Sequence, residues 1–150
     1  MGLFTTIDIS ASGLSAQRLR MDIIADNIAN VNTTRSRLLP DGTYEPYRRK
    51  VAIFEAKTPS FAGVLREQLS SLQDGGVRVK AIVEDPEPFK LVYNPEHPDA
   101  DGQGYVRMPN VNLVTEMVDM ISATRAYEAN VTVLNASKAM FMKALEIGRG

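Results

Sequence analysis

Residues 113–145, LVTEMVDMISATRAYEANVTVLNASKAMFMKAL, decide the fold. Within this stretch Leu113, Met117, Met120, Thr124, Tyr127, Val131, Leu134, Lys138, Phe141 and Leu145 recur at alternating spacings of four and three, with only Thr124 and Lys138 off type. That period is the a/d seam of a long amphipathic helix. The other end of the chain repeats the pattern. Leu14, Met21, Ile24, Ile28 and Val31 fall at spacings of seven, three, four and three, interrupted at Gln17.

Between the two helices the chain reads as strands and turns. Tyr47 to Ala56 contains Val51, Ile53 and Phe54, which are good strand formers. Val77, Val79, Ala81 and Val83 alternate with their neighbours as a half-buried strand does, and Phe89 to Tyr93 is a further strand. Asp41-Gly42 marks a turn in the polar connection from Asn32 to Tyr44. Asn94 to Pro109 is rich in Pro, Gly and Asp and is read as an ordered loop. Thr58 to Gly76 is read as a short helix in a mobile insertion.

The expected fold class is α+β, with long N- and C-terminal helices forming an antiparallel coiled-coil stem and a small β-rich middle domain. The expected divisions are residues 1–32 for the N-terminal helix, 33–108 for the middle, with about 58–76 as the insertion, and 109–150 for the C-terminal helix. A helix of about 24 residues spans roughly 36 Å. A small middle domain cannot cover two such helices, so their apolar faces are expected to meet each other and helices of neighbouring chains. The arrangement implies polymerisation through the ends.

Composition narrows the function classes. The chain has 150 residues, 44% hydrophobic and 23% charged, enough for a modest core. The net charge of −1 supplies no long-range attraction to nucleic acid or an anionic membrane. Cysteine is absent, which removes disulfides and thiolate sites. No run of about eighteen apolar residues and no basic-then-apolar leader is present, so neither membrane insertion nor a cleaved signal peptide is expected. Charge is uneven: Arg35, Arg37, Arg48, Arg49 and Lys50 are basic, and Glu84, Asp85, Glu87, Glu96, Asp99 and Asp101 are acidic. These stretches are read as solvated loops, or as surfaces that face one another between identical copies.

Catalytic constellations are thin. The single histidine, His97, lies in Asn94-Pro95-Glu96-His97-Pro98-Asp99-Ala100-Asp101-Gly102. Read as a calcium loop from Asp99, this stretch places Asn110 where a bidentate glutamate is needed. Gly102-Gln103-Gly104 lacks the third glycine of a dinucleotide loop. The loop is therefore read as a rigid proline-framed turn, with no catalytic residue, no cofactor and no metal expected.

The motifs at both ends carry a resemblance. Ser12-Gly13-Leu14-Ser15-Ala16 and Asp22-Ile23-Ile24-Ala25-Asp26-Asn27-Ile28-Ala29-Asn30-Val31-Asn32-Thr33 resemble the N-terminal signature of the bacterial flagellar axial proteins, the rod and hook family. Pro109-Asn110-Val111-Asn112, Glu116-Met117-Val118-Asp119-Met120-Ile121 and Arg125-Ala126-Tyr127-Glu128-Ala129-Asn130 resemble the rod family's C-terminal signature. Pro46-Tyr47-Arg48-Arg49 and Tyr93-Asn94-Pro95-Glu96-His97-Pro98-Asp99 resemble the C-type proximal subunits of that family. Asp26 departs from the asparagine common at that position, and Thr34-Arg35 replaces the glycine and aromatic of hook-like relatives.

The resemblance implies a structural subunit of the flagellar basal-body rod, exported without signal cleavage, assembling helically around the export channel and transmitting torque. Its implied partners are other copies of itself, other rod subunits, the basal-body ring and the export apparatus, in the cell envelope, with no nucleic acid and no membrane insertion. The assembly seam is expected at Leu14, Met21, Ile24, Ile28, Val31, Leu113, Met117, Met120, Tyr127, Val131, Leu134 and Phe141. Asn27, Asn30 and Asn130 are expected to fix register. The rival readings are a soluble coiled-coil adaptor and a metal-dependent hydrolase built on His97.

Overall fold

The computed structural model of the chain describes residues 3–40, 42–57 and 75–148. Helix α1 spans Leu3–Ala29. Six strands follow: β1 Arg37–Leu38, β2 Tyr44–Glu45, β3 Lys50–Ala56, β4 Val77–Glu84, β5 Lys90–Tyr93 and β6 Tyr105–Met108. Helix α2 spans Leu113–Ile147, 35 residues. The α+β class expected from sequence is the one found: two long terminal helices and a strand-rich middle. The short helix expected within 58–76 lies outside the described residues except for its last two positions.

Among the described residues the strands form three two-stranded sheets, β1–β2, β3–β4 and β5–β6. Of the turn read at Asp41-Gly42, Asp41 lies outside the described residues and Gly42 lies between β1 and β2, which pair Arg37 with Glu45 and Leu38 with Tyr44. Gly42 supplies a φ of 81°, a left-handed conformation that costs glycine nothing. The β3–β4 pair is bracketed by Asp85 N–H donating to Arg49 C=O at 2.8 Å and by Lys57 N–H donating to Gly76 C=O at 2.9 Å. Those opposed ends make it antiparallel. Strand β6 was not expected, because four residues inside a Pro-, Gly- and Asp-rich window carry too little pattern to stand out. It is held by pairing with β5, Tyr93 opposite Tyr105 and Lys90 opposite Met108.

Contacts divide the chain into two compact units, and α1, α2, β3 and β4 each contribute to both. The first comprises Met1–Leu19, Ile53–Ala81 and Ser122–Gly150. Its buried residues, among those described, are small: Ser10, Ala16, Ala123 and Ser137. Small residues let backbones approach, and a Cβ added to Gly13 would meet the Asn130 side chain at 3.1 Å. Helix α1 runs through Gly13 without interruption. Gly76, at φ 115°, leaves room for Ser12, whose Oγ accepts the Val77 N–H at 3.1 Å and donates to Ile9 C=O at 2.7 Å.

Gln17 shows a cost in this unit. Its Oε1 is buried without a hydrogen-bond partner among the described residues. Replacing it with methionine, similar in volume, removes that unmet acceptor. The Gln17→Met chain is expected to gain about 1 kcal/mol in urea unfolding, and an unchanged midpoint would show that the oxygen is already satisfied.

The second unit comprises Arg20–Ala52 and Ile82–Ile121. Its apolar core is Ile23, Ile24, Tyr47, Val106 and Val111. Buried beside them are three polar side chains, Asn27, Asn110 and Glu116. Buried polar groups require partners, and tracing those partners defines the site.

Candidate functional site

Asn27, on α1, is 1% exposed. Its Oδ1 accepts the Lys50 N–H at 2.9 Å and lies 3.0 Å from the Tyr47 hydroxyl. Its Nδ2 donates to Lys50 C=O at 2.9 Å and to Glu116 Oε2 at 3.1 Å. These contacts use the whole hydrogen-bonding capacity of an amide. Asn27 thus grips both backbone groups of Lys50, as a neighbouring strand would, and pins the start of β3 within the unit.

Glu116, in the first turn of α2, is 0% exposed. Its second oxygen receives Arg49 Nε at 2.6 Å. The Arg49 fork also donates to Asp85 Oδ2 at 3.1 Å and approaches Asp119 at 3.7 Å, and Asp119 in turn meets Arg20 at 3.0 Å. Asn110 completes the network. It accepts the Arg49 N–H at 2.8 Å and donates to the carbonyls of Asp85 at 3.3 Å and Glu87 at 3.1 Å. One guanidinium therefore ties β3, the segment after β4 and α2 together.

Electrostatics follow from this geometry. Burial pulls the Arg49 guanidinium down, but its hydrogen bonds to Glu116 and Asp85 outweigh burial and raise it. The Lys50 hydrogen bond holds Asp26 below the usual carboxylate range, against a smaller opposing effect of burial and with help from Tyr47. The Glu87 N–H does the same for Asp85, with Arg49 adding to it. Burial, then the Asp26 hydrogen bond, push the Tyr47 hydroxyl up. The arrangement is a static joint of satisfied donors and acceptors.

The two charged stretches read from the sequence meet inside this unit. Arg35 pairs with Asp99 at 2.6 Å, and Thr34 Oγ1 donates to Asp99 at 2.7 Å. Asp99 is lowered chiefly by Arg35 and then by Thr34. Asp101 accepts the N–H groups of Gln103 and Tyr105, each at 2.9 Å. His97 Nδ1 accepts the Asp99 N–H at 3.1 Å. Asp101 therefore holds the loop's own shape, and Asp99 fastens the loop to Thr34 and Arg35.

These depressed carboxylates set the acid response. A carboxyl whose folded pKa lies below its unfolded value contributes stability that is present above the unfolded value and lost as pH falls through the folded one. Asp26, Asp85 and Asp99 are all of this kind. Stability is expected to be level from pH 7 to about 5 and to fall below about pH 4. Urea midpoints across that range test it: Asp99→Asn should flatten the acid slope, and an unaltered slope would refute the role of that carboxylate.

The expected seam residues fall into three groups. Ile24 is buried; Leu14, Met21, Ile28, Val31, Met120, Tyr127, Val131, Leu134 and Phe141 are half-buried; Leu113 and Met117 are 40% and 54% exposed. The buried row of α2 passes instead through Glu116, Ala123 and Ser137. Of the register asparagines, Asn30 Nδ2 donates to Asp26 C=O at 2.9 Å and its Oδ1 accepts from Thr33, closing the end of α1. Asn130 donates to Ala126 C=O at 3.0 Å. Sequence reasoning assigned no role to Arg49, Glu116 or Tyr47. The available signal was that Glu116, Met120, Ala123 and Tyr127 also keep helical spacing.

On α2 a row of large apolar side chains faces outward: Val114, Met117, Val118 and Ile121 are 69%, 54%, 58% and 62% exposed. Their spacing puts them on one side of the helix.

Residues 7–35 match the family described as flagella basal body rod protein, and residues 103–147 match the flagellar basal body rod FlgEFG protein C-terminal family. The chain is 52% identical to the flagellar basal-body rod protein FlgC of Borreliella burgdorferi over 100% of both chains. It is 49% identical to FlgC of Bacillus subtilis and 42% identical to FlgC of Escherichia coli O6:H1, each over 99% of this chain and 100% of the relative. The chain belongs to the FlgC family of flagellar basal-body rod proteins. It is a structural subunit of that rod. The matched segments contain Asp26 and Asn27 at one end and Asn110, Glu116 and Asp119 at the other, whereas Tyr47, Arg49 and Asp85 come from the strands between them.

Proposed function

We propose that this chain assembles helically around the flagellar export channel with other copies of itself and other rod subunits, next to the basal-body ring and export apparatus, and transmits torque. The observation that carries this reading is the exposed row Val114, Met117, Val118 and Ile121 on a helix whose inner side is locked by Glu116. Contiguous exposed apolar surface marks an interaction site. A joint saturated with hydrogen bonds and ion pairs suits a part that carries load without changing shape.

In this reading the terminal segments, residues 1–32 and 109–150, supply the inner layer and residues 33–108 the outer. The half-buried seam residues, among them Leu14, Met21, Ile28, Tyr127, Val131 and Leu134, complete their burial against neighbours. The protein acts by packing rather than by catalysis. It reaches the envelope without cleavage of a signal and without inserting into the membrane; no described helix is long and apolar enough to cross one. No specific observation favours the adaptor or the hydrolase.

Quantitative mass spectrometry of purified hook–basal bodies, scoring peptides from both ends of the chain, tests the proposal. Several stoichiometric copies with intact ends are expected. Absence of the chain would overturn the reading.

A further inference from the structure

The β5–β6 hairpin is dressed on the wrong side. Directly paired residues share a face, and residues two apart along a strand share it too, so Leu91, Tyr93, Tyr105 and Arg107 lie together. On the opposite face Val106 is 2% exposed and Lys90 Nζ donates to Val111 C=O at 2.6 Å, while Val92, paired with Val106, is 47% exposed. The outward face of such a ribbon is normally polar. Here Leu91 and Tyr93 are each 65% exposed and Tyr105 is 41% exposed. The two tyrosine rings meet edge to face with centroids 5.3 Å apart.

The charge on this face makes no close contact with a carboxylate among the described residues. Every other arginine of the unit has an ion pair: Arg20, Arg35, Arg37, Arg48 and Arg49. Among the described residues Arg107 has no hydrogen bond and no ion pair. Arg107 acts on Asp101 only across space and after the Tyr105 and Gln103 N–H groups, which take Asp101 Oδ1. Tyrosines beside an unpaired arginine are the composition of an interface hot spot that lacks its carboxylate.

Among the described residues Pro86-Glu87-Pro88 has matching chemistry, as Pro95-Glu96 also does, but only Pro86-Glu87-Pro88 lies away from the β5–β6 turn itself. Pro86, Glu87 and Pro88 are all exposed. Their backbone is fastened, with Glu87 N–H donating to Asp85 Oδ1 at 3.0 Å and Glu87 C=O accepting from Asn110 at 3.1 Å. The Glu87 carboxylate has no hydrogen bond or ion pair among the described residues. Prolines have fixed φ and little entropy to lose, and they dock on aromatic surfaces.

We propose that the Leu91, Tyr93, Tyr105 and Arg107 face of one copy receives Pro86-Glu87-Pro88 of a second copy, with the prolines on the tyrosine rings and the Glu87 carboxylate on the Arg107 guanidinium. The proposal rests on the rod reading and names one of its contacts.

Because the chain has no cysteine, the contact can be trapped. Arg107→Cys and Glu87→Cys chains are co-expressed in the source cell, basal bodies are purified and oxidised with copper phenanthroline, and products are separated without reductant. A dimer that requires both substitutions supports the contact. If the chain is present in basal bodies without that dimer, the contact is overturned and the rod reading stands. Arg107→Cys joined to a different protein overturns the second copy as occupant. Absence of even the unsubstituted chain from basal bodies overturns the rod reading and this contact with it. Charge reversal is the second measure. Arg107→Glu and Glu87→Arg should each lower incorporation about tenfold, with the double reversal restoring most of it; two single reversals without effect would overturn the pairing.

Discussion

Replacing Arg49 with leucine lowers the unfolding free energy by about 3–5 kcal/mol. Glu116 is 0% exposed and receives Arg49 at 2.6 Å. Without the guanidinium its charge stays buried, with the Asn27 amide at 3.1 Å as its remaining close donor. Asp85 and Asp119 lose the same partner, so repulsion among three carboxylates adds to the desolvation cost. In thermal unfolding the loss corresponds to a midpoint lower by on the order of 10 °C for a chain of this size. The double change Arg49→Leu with Glu116→Leu should recover much of it, because an apolar pair of similar volume needs no partners. A single Arg49→Leu chain as stable as the parent would show that the joint does not hold the unit together.

The second large effect separates folding from assembly. Ile121→Asp places a charge on the exposed row of α2, where the native side chain is 62% exposed. Folding should change by no more than about 0.5 kcal/mol, as for other surface positions. Assembly should fail, because a carboxylate on an apolar surface that must be covered by a neighbour is desolvated without a partner. The expected phenotype is a folded chain missing from purified basal bodies and a cell that does not swim. Ile24→Asp is the contrasting variant. Ile24 is 5% exposed within the same core that holds Tyr47 and Val106, so a charge there should unfold the second unit before assembly is reached. Normal rods from Ile121→Asp would remove this face of α2 from the assembly surface.

Much of the fold was legible in residue order. The helical period of Leu113 to Leu145 returned a helix of 35 residues, and the alternation of Val77, Val79 and Ala81 returned β4. Both are local signals repeated often enough to outweigh noise. Strand β6 was illegible because its identity depends on β5, to which it is bound through register. The candidate site was less legible than the fold. Glu116 drew no role because a reading by hydrophobicity passes over it, and nothing in the sequence announces that a glutamate will be buried. Its burial depends on Arg49, 67 residues away along the chain.

Asn27 shows the same division. Its place in Asp26-Asn27-Ile28-Ala29-Asn30 marks it as special in the sequence, and a resemblance can be built on it. Only the folded chain puts the two backbone groups of Lys50 and the carboxylate of Glu116 around its amide. The sequence by itself determined what depends on neighbours in the chain: two long helices, the longer strands between them, and the family signatures at either end. The tertiary structure decided which residues share a charge, which apolar side chains are spent on the core, and which are left for a partner. Those outcomes depend on distances between residues far apart in the chain, and local periodicity carries no information about them.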